Sequence, residues 1–133
     1  MNTNERSILF SLKILKLSAV VCWLGIIWGI RGLSSDPTLV WILGFAPDYF
    51  AAIALFLDAS DRTARASGMT TIRTPKYWLT AAVGVCILLF VGELLQEYVF
   101  WGNFDWWDVA AHAAGAASSI AILYILFQRG KVE

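Results

Sequence analysis

The chain has 133 residues, enough for one domain. Hydrophobic residues make up 59% and charged residues 15%, with zero formal net charge and a mean hydropathy of +0.66. A soluble domain carries about 25% charge, so these figures exclude an ordinary water-soluble globule, and nothing in them suggests a nucleic-acid surface.

Four stretches approach the roughly 20 apolar residues that a bilayer-crossing helix requires. The first is ILFSLKILKLSAVVCWLGIIWGI, residues 8–30. Its basic start and apolar body resemble a signal peptide, but no small-x-small cleavage pattern follows. AVVC at 19–22 fails as a lipoprotein cleavage box because Val21 is too large. Residues 8–30 therefore read as a retained span. Cys22 in this span and Cys86 in the third read as buried apolar side chains, not as a disulfide or a metal pair.

The second stretch lies within TLVWILGFAPDYFAAIALFL, 38–57. Ser34, Ser35 and Asp36 followed by Pro37 make a helix-start signal. Pro47 interrupts ten residues later, where a proline removes a backbone bond. One reading is a single kinked span from 37 to 57. The preferred reading is a short outer helix, 37–45, followed by a span at 47–60. Asp48 then falls in a first helical turn, where the dipole favours negative charge. In a single span it would need a partner deep in the membrane.

Residues 58–76, DASDRTARASGMTTIRTPK, read as a polar connector. Pro75 then supports a helix start, and the third span covers about 77–97. The fourth covers about 105–127. Tyr77 and Trp78 suit one aromatic belt, and Trp101, Trp106 and Trp107 the other.

Charge distribution orients these spans. Arg6, Lys13, Lys16, Arg62, Arg65, Arg73, Lys76, Arg129 and Lys131 fall on one side, and only Arg31 on the other. The positive-inside rule predicts that both termini and the connector are cytoplasmic. Asp36, Asp48, Glu93, Glu97, Asp105 and Asp108 all fall in the outer half. The expected fold is all-α: one integral membrane four-helix bundle with short polar outer loops, in contact with membrane lipid.

The stretch ELLQEYVFWGNFDWWDVAAHAAGAASS, 93–119, concentrates the polar chemistry. At about 100° per residue, Asp105, Asp108, His112, Gly115 and Ser119 share an arc of about 80° on the fourth helix. Ala111, Gly115 and Ser119 recur every fourth residue, the small-xxx-small pattern of close helix packing. This stripe also offers a face for homo- or hetero-oligomerisation. On the third helix, Glu93, Gln96 and Glu97 share one face. The short 98–104 loop makes these two spans antiparallel neighbours, so the polar faces should meet.

Each residue also has a structural role open to it. Asp105 and Asp108 suit the N-cap and first turn of the fourth helix. Glu97 suits solvation at the headgroups. His112, one turn below Asp108, suits a bond to that carboxylate. Glu93 follows a long apolar run, where an ionisable group marks a site. A metal set of Glu93, Glu97, Asp108 and His112 is conceivable, but HExxH is absent, and no metal or other cofactor is expected. A serine nucleophile is disfavoured because Ser118 and Ser119 lie deeper than His112. Acid–base chemistry by Glu93, Asp108 and His112 is chemically reasonable, but no catalytic residue is specified.

Glu93-x-x-Gln96, the turn GNFD at 102–105, and Asp108-x-x-x-His112-x-x-Gly115 together resemble the signature of VanZ-like membrane proteins. The resemblance spans about residues 78–120 and matches at Glu93, Gln96, Asp108 and Gly115. The family often has Asn where this chain has His112, and Arg where it has Asn103. Without that arginine the natural partner of a phosphate or carboxylate is missing. The resemblance implies a multi-pass protein of the cell envelope in a bacterial inner membrane. It also implies an outward-facing polar site between spans three and four for a lipid headgroup or lipid-linked precursor. The competing readings are a membrane-embedded hydrolase or metal-dependent enzyme using Glu93, Asp108 and His112, and a structural subunit of a larger complex.

Overall fold

The computed structural model describes residues 3–30, 32–100 and 104–129. Arg31, Trp101, Gly102, Asn103 and Lys131, used in the topology and loop arguments above, lie outside the described residues.

The chain is all-α. Helix α1 spans Thr3–Gly25 and continues as a π-helical turn, Ile26–Ile30. Helix α2 spans Pro37–Ser67, α3 is a single turn at Met69–Ile72, α4 spans Pro75–Phe100 and α5 spans Trp106–Arg129. Four helices are long and apolar enough to cross a membrane: Thr3–Ile30, Pro37–Ser67, Pro75–Val99 and Trp106–Gln128.

The start of α2 follows from its sequence. The Asp36 carboxylate accepts the Leu39 N–H at 2.9 Å, and Pro37 occupies the first turn, where its missing N–H has no helical partner to lose. Asp36→Ala is expected to lower stability by about 1 kcal/mol, and Asp36→Ser to restore most of it. Chemical unfolding in detergent micelles measures both.

Beyond Asp36 the structure corrects the sequence reading. Residues 37–67 form one 31-residue helix with Pro47 inside it, not a short helix at 37–45 and a separate span at 47–60. The reason is the environment. A proline inside a helix removes one hydrogen bond, whereas a chain break in an apolar setting strands several backbone groups. Pro47 is buried against its neighbours, which supports the helix through this point. At about 1.5 Å per residue α2 is about 46 Å long, well beyond a hydrocarbon core of about 30 Å. It ends at Gly68, whose φ of +88° suits glycine and whose N–H bonds to the Ala64 carbonyl at 3.0 Å.

Helix α2 is the axis of the molecule. Helices α1 and α5 pack along it, α4 packs on α5 and more lightly on α2, and α1 and α4 flank α2 with little direct contact between them. Leu12, Phe56, Leu57, Ile72 and Leu123 are fully enclosed. Outward-facing residues include Phe10, Val21, Trp28, Leu79, Ile87 and Leu88, an apolar exterior suited to lipid. Cys22 is among the exposed positions, contrary to the expectation of burial, while Cys86 is half-buried. In lipid an outward thiol keeps the apolar surroundings that burial would have provided.

Two polar devices join the helices. Lys16 of α1 reaches Asp58 at 2.9 Å and Asp61 at 3.6 Å on α2. Arg62 and Arg65 bond the same carboxylates at 2.6 and 2.9 Å. Tyr77 and Trp78 are tied inward as well as apolar. The Tyr77 hydroxyl donates to Ser60 Oγ at 3.2 Å, and Trp78 Nε1 donates to the Ile72 carbonyl at 2.6 Å.

Between α2 and α5 the contact is closest at Gly115. A Cβ there would run into the Tyr49 carbonyl oxygen and lie 2.8 Å from the Ala52 Cβ. The Tyr49 hydroxyl donates to Ser118 Oγ at 2.8 Å, and Ser119 Oγ donates to the Gly115 carbonyl at 2.9 Å. Ala111, Gly115 and Ser119 are all buried, so the face read as an oligomerisation surface is covered by α2 of the same chain. Small residues permit close approach by any helix, and here the partner is internal.

Candidate functional site

The polar residues of α4 and α5 meet a third helix. His112 is 1% exposed, and its Nε2 lies 3.4 Å from Asp48 Oδ1 on α2. Asp48 thus has the partner that a single long span demanded. His112 pairs across helices with Asp48, and not with Asp108 one turn away as the sequence reading had it. The cause is the Gly115 contact. It draws α5 onto α2 so closely that the turn containing Asp48 stands against the turn containing His112.

Glu93 approaches the same point from α4. One ligand atom each from Asp48, Glu93 and His112 lie within 4.8 Å of one another. A cavity of about 450 Å³ opens beside them, lined by Asp48, Glu93, Gln96, Asp108, Gly44, Pro47, Trp23 and Ile27. All four long helical segments therefore contribute, because Trp23 belongs to α1 and Ile27 to its π-helical continuation. The sequence reading confined the site to spans three and four and left out Asp48. The signal that could have found Asp48 was its need for a partner if α2 ran unbroken through Pro47.

The other candidates occupy graded positions. Glu93 and Asp108 are half-buried, whereas Gln96 is exposed yet lines the cavity. Glu97 is half-buried and is not among the cavity-lining residues. Asp105 is exposed, and its carboxylate accepts the Trp107 N–H at 3.0 Å, a capping bond at the start of α5. Asp105 and Asp108 also line a shallower recess with Trp41, Gly44, Phe45 and Trp107. Gly44 and Asp108 belong to both hollows, so the recess adjoins the cavity. Trp41 and Trp107, which both line the recess, pack edge-to-face with ring centroids 5.3 Å apart.

The electrostatics are one-sided. Asp48, Glu93 and Asp108 converge on the cavity, and His112 is the only basic side chain paired with any of them among the described residues. The Lys16, Arg62 and Arg65 charges are engaged by Asp58 and Asp61. Such a cavity attracts cationic groups and repels a bare phosphate.

A second hollow of about 350 Å³ lies alongside, lined by Lys16, Leu17, Val20, Trp23, Ala51, Ala54, Leu55, Asp58 and Leu89. Trp23 borders both hollows. Both are bordered by α1, α2 and α4 and share Trp23, so they adjoin along one α1–α4 groove. One half is apolar and the other acidic.

No family model, no curated protein and no solved structure matches this chain.

Proposed function

We propose that this multi-pass membrane protein recognises an amphiphilic membrane lipid, with the lipid tail in the apolar half of the α1–α4 groove and its head in the acidic half. The observation that carries this reading is the sharing of Trp23 by the apolar and acidic hollows. A ligand that enters sideways from the bilayer meets both halves in the right order only if it is itself apolar at one end and polar at the other.

The charge of the cavity selects among heads. Three carboxyl groups suit an amine, a hydroxyl-rich head, or a phosphate accompanied by a cation. The one-sided Lys and Arg pattern directs the acidic end outward and the Lys16–Asp58 end to the cytoplasm. That orientation, together with the E-x-x-Q and D-x-x-x-H-x-x-G resemblance to VanZ-like proteins, supports a role at the outer face of a bacterial inner membrane. A lipid-linked envelope precursor is the ligand class that fits such a place.

Leu17 tests the reading because it lines the apolar half and is 48% exposed, so a larger side chain there need not disturb the core. Native mass spectrometry of the protein released from mild detergent should show a retained lipid on the wild type. Leu17→Trp fills the groove and should reduce that retained lipid at least fivefold, with helical content unchanged. Equal lipid retention by both proteins would refute the groove as the binding site.

A further inference from the structure

We propose that Asp48, Glu93 and His112 bind one divalent cation of the first transition row, of the Zn²⁺ or Mn²⁺ kind. This goes beyond lipid recognition and stands without it, because it rests on these three side chains alone.

The donor set is the first argument. Two carboxylates and one imidazole suit such ions, whereas Mg²⁺ and Ca²⁺ favour all-oxygen surroundings. The three residues come from α2, α4 and α5, so the helix packing itself brings them together. Metal–ligand bonds of about 2.1 Å place the ligands of a tetrahedral ion about 3.4 Å apart. The 4.8 Å limit closes on an ion when the three side chains together move inward by about 1–1.5 Å, within the reach of rotamer adjustment.

His112 is the second argument. It is 1% exposed, and its ring faces the cluster through Nε2. The 3.4 Å separation from Asp48 Oδ1 is longer than the usual 2.7–3.2 Å range of about the best N–H···O bonds. Nδ1 has no hydrogen-bond partner, so no acceptor or donor there fixes the tautomer. A cation between Nε2 and Asp48 Oδ1 takes the place of the Nε2 proton and is bound by both atoms, with the ring proton carried on Nδ1.

The surroundings complete the case. No Lys or Arg pairs with Asp48 or Glu93 among the described residues. Asp108 lines the cavity and Asp105 the adjoining recess, and their charges draw cations toward it. Three protein ligands leave coordination positions open toward the cavity, where Gln96 and Asp108 stand.

The test is calorimetric titration of Zn²⁺ into the purified full chain in lipid-free detergent, with Co²⁺ absorption as a spectroscopic check on the imidazole ligand. The expected result is one Zn²⁺ per chain. Glu93→Gln and His112→Ala should each weaken binding at least tenfold, and Asp36→Asn, outside the cluster, should leave it unchanged. Glu93→Gln keeps the shape of a half-buried side chain, so it remains informative if His112→Ala folds poorly. A wild type without stoichiometric uptake, or variants that bind as tightly as wild type, would overturn the proposal. Because no lipid is present, loss of the lipid reading and loss of the metal site register in separate experiments.

Discussion

Gly115→Leu is expected to be the most damaging single substitution in this protein, lowering unfolding stability by about 3 kcal/mol or more. The added side chain has nowhere to go. Even its Cβ meets the Tyr49 carbonyl oxygen, and the Ala52 Cβ lies 2.8 Å away. Neither is the end of a flexible side chain, so relief requires α2 and α5 to separate. Separation then pulls Tyr49 from Ser118 and His112 from Asp48. Gly115→Ala weighs two opposed effects. Helix propensity favours alanine by about 1 kcal/mol, whereas overpacking costs about 1–3 kcal/mol. With backbone on the receiving side the clash should win. Gly84→Ala is the matched control, because nothing lies within 4 Å of a Cβ at Gly84. Unfolding by a denaturing detergent in mixed micelles should show a large loss for Gly115→Leu, a smaller one for Gly115→Ala, and none for Gly84→Ala. Equal behaviour of the two alanine variants would mean that α2 and α5 tolerate a wider spacing than the structure has.

Lys16→Met is the second large expected effect, a loss of about 1–3 kcal/mol. Lys16 is the only charged bond between α1 and α2 among the described residues, and it serves both Asp58 and Asp61. The Asp61 side chain is 10% exposed, so water compensates little for the lost ammonium. Arg62 and Arg65 remain bonded to the two carboxylates and limit the damage. The Lys16→Met, Asp58→Asn double-mutant cycle isolates the pair, with an expected coupling of about 0.5–3 kcal/mol. A coupling near zero would assign the carboxylates wholly to the arginines and leave α1 held by apolar packing alone.

Much of the architecture was legible in the residues. The long apolar runs required helices, because lipid offers backbone groups no partners. Asp36 and Pro37 marked the start of α2, and Asp105 capped α5, because caps depend on side chains within three or four residues of the backbone groups they satisfy. The small residues at 111, 115 and 119 announced a close helix contact, but not which helix would make it. Periodicity defines a face, and any sufficiently flat helix could have filled it.

The course of the chain through Pro47 was decided above the level of local signals. A proline says that a bond is missing and is silent on whether neighbours will support the helix across the gap. Breaking the helix at Pro47 also hides the role of Asp48. Taking Asp48 as a first-turn residue supplied it with a helix dipole for company and removed the reason to look for a partner. His112 was accordingly matched to Asp108, its neighbour in sequence.

By itself the sequence determined a bundle of four long apolar helices, the starts of α2, α4 and α5, and the stretch in which its polar chemistry is concentrated. These depend on composition and on contacts a few residues long. Only the tertiary structure decided that α2 runs unbroken as the central helix, that the small-residue stripe of α5 is covered from within, and that Asp48 joins Glu93 and His112. The physical reason is distance along the chain. Asp48 and His112 stand 64 positions apart, and no local pattern encodes their meeting. The packing of α5 onto α2 at Gly115 creates it.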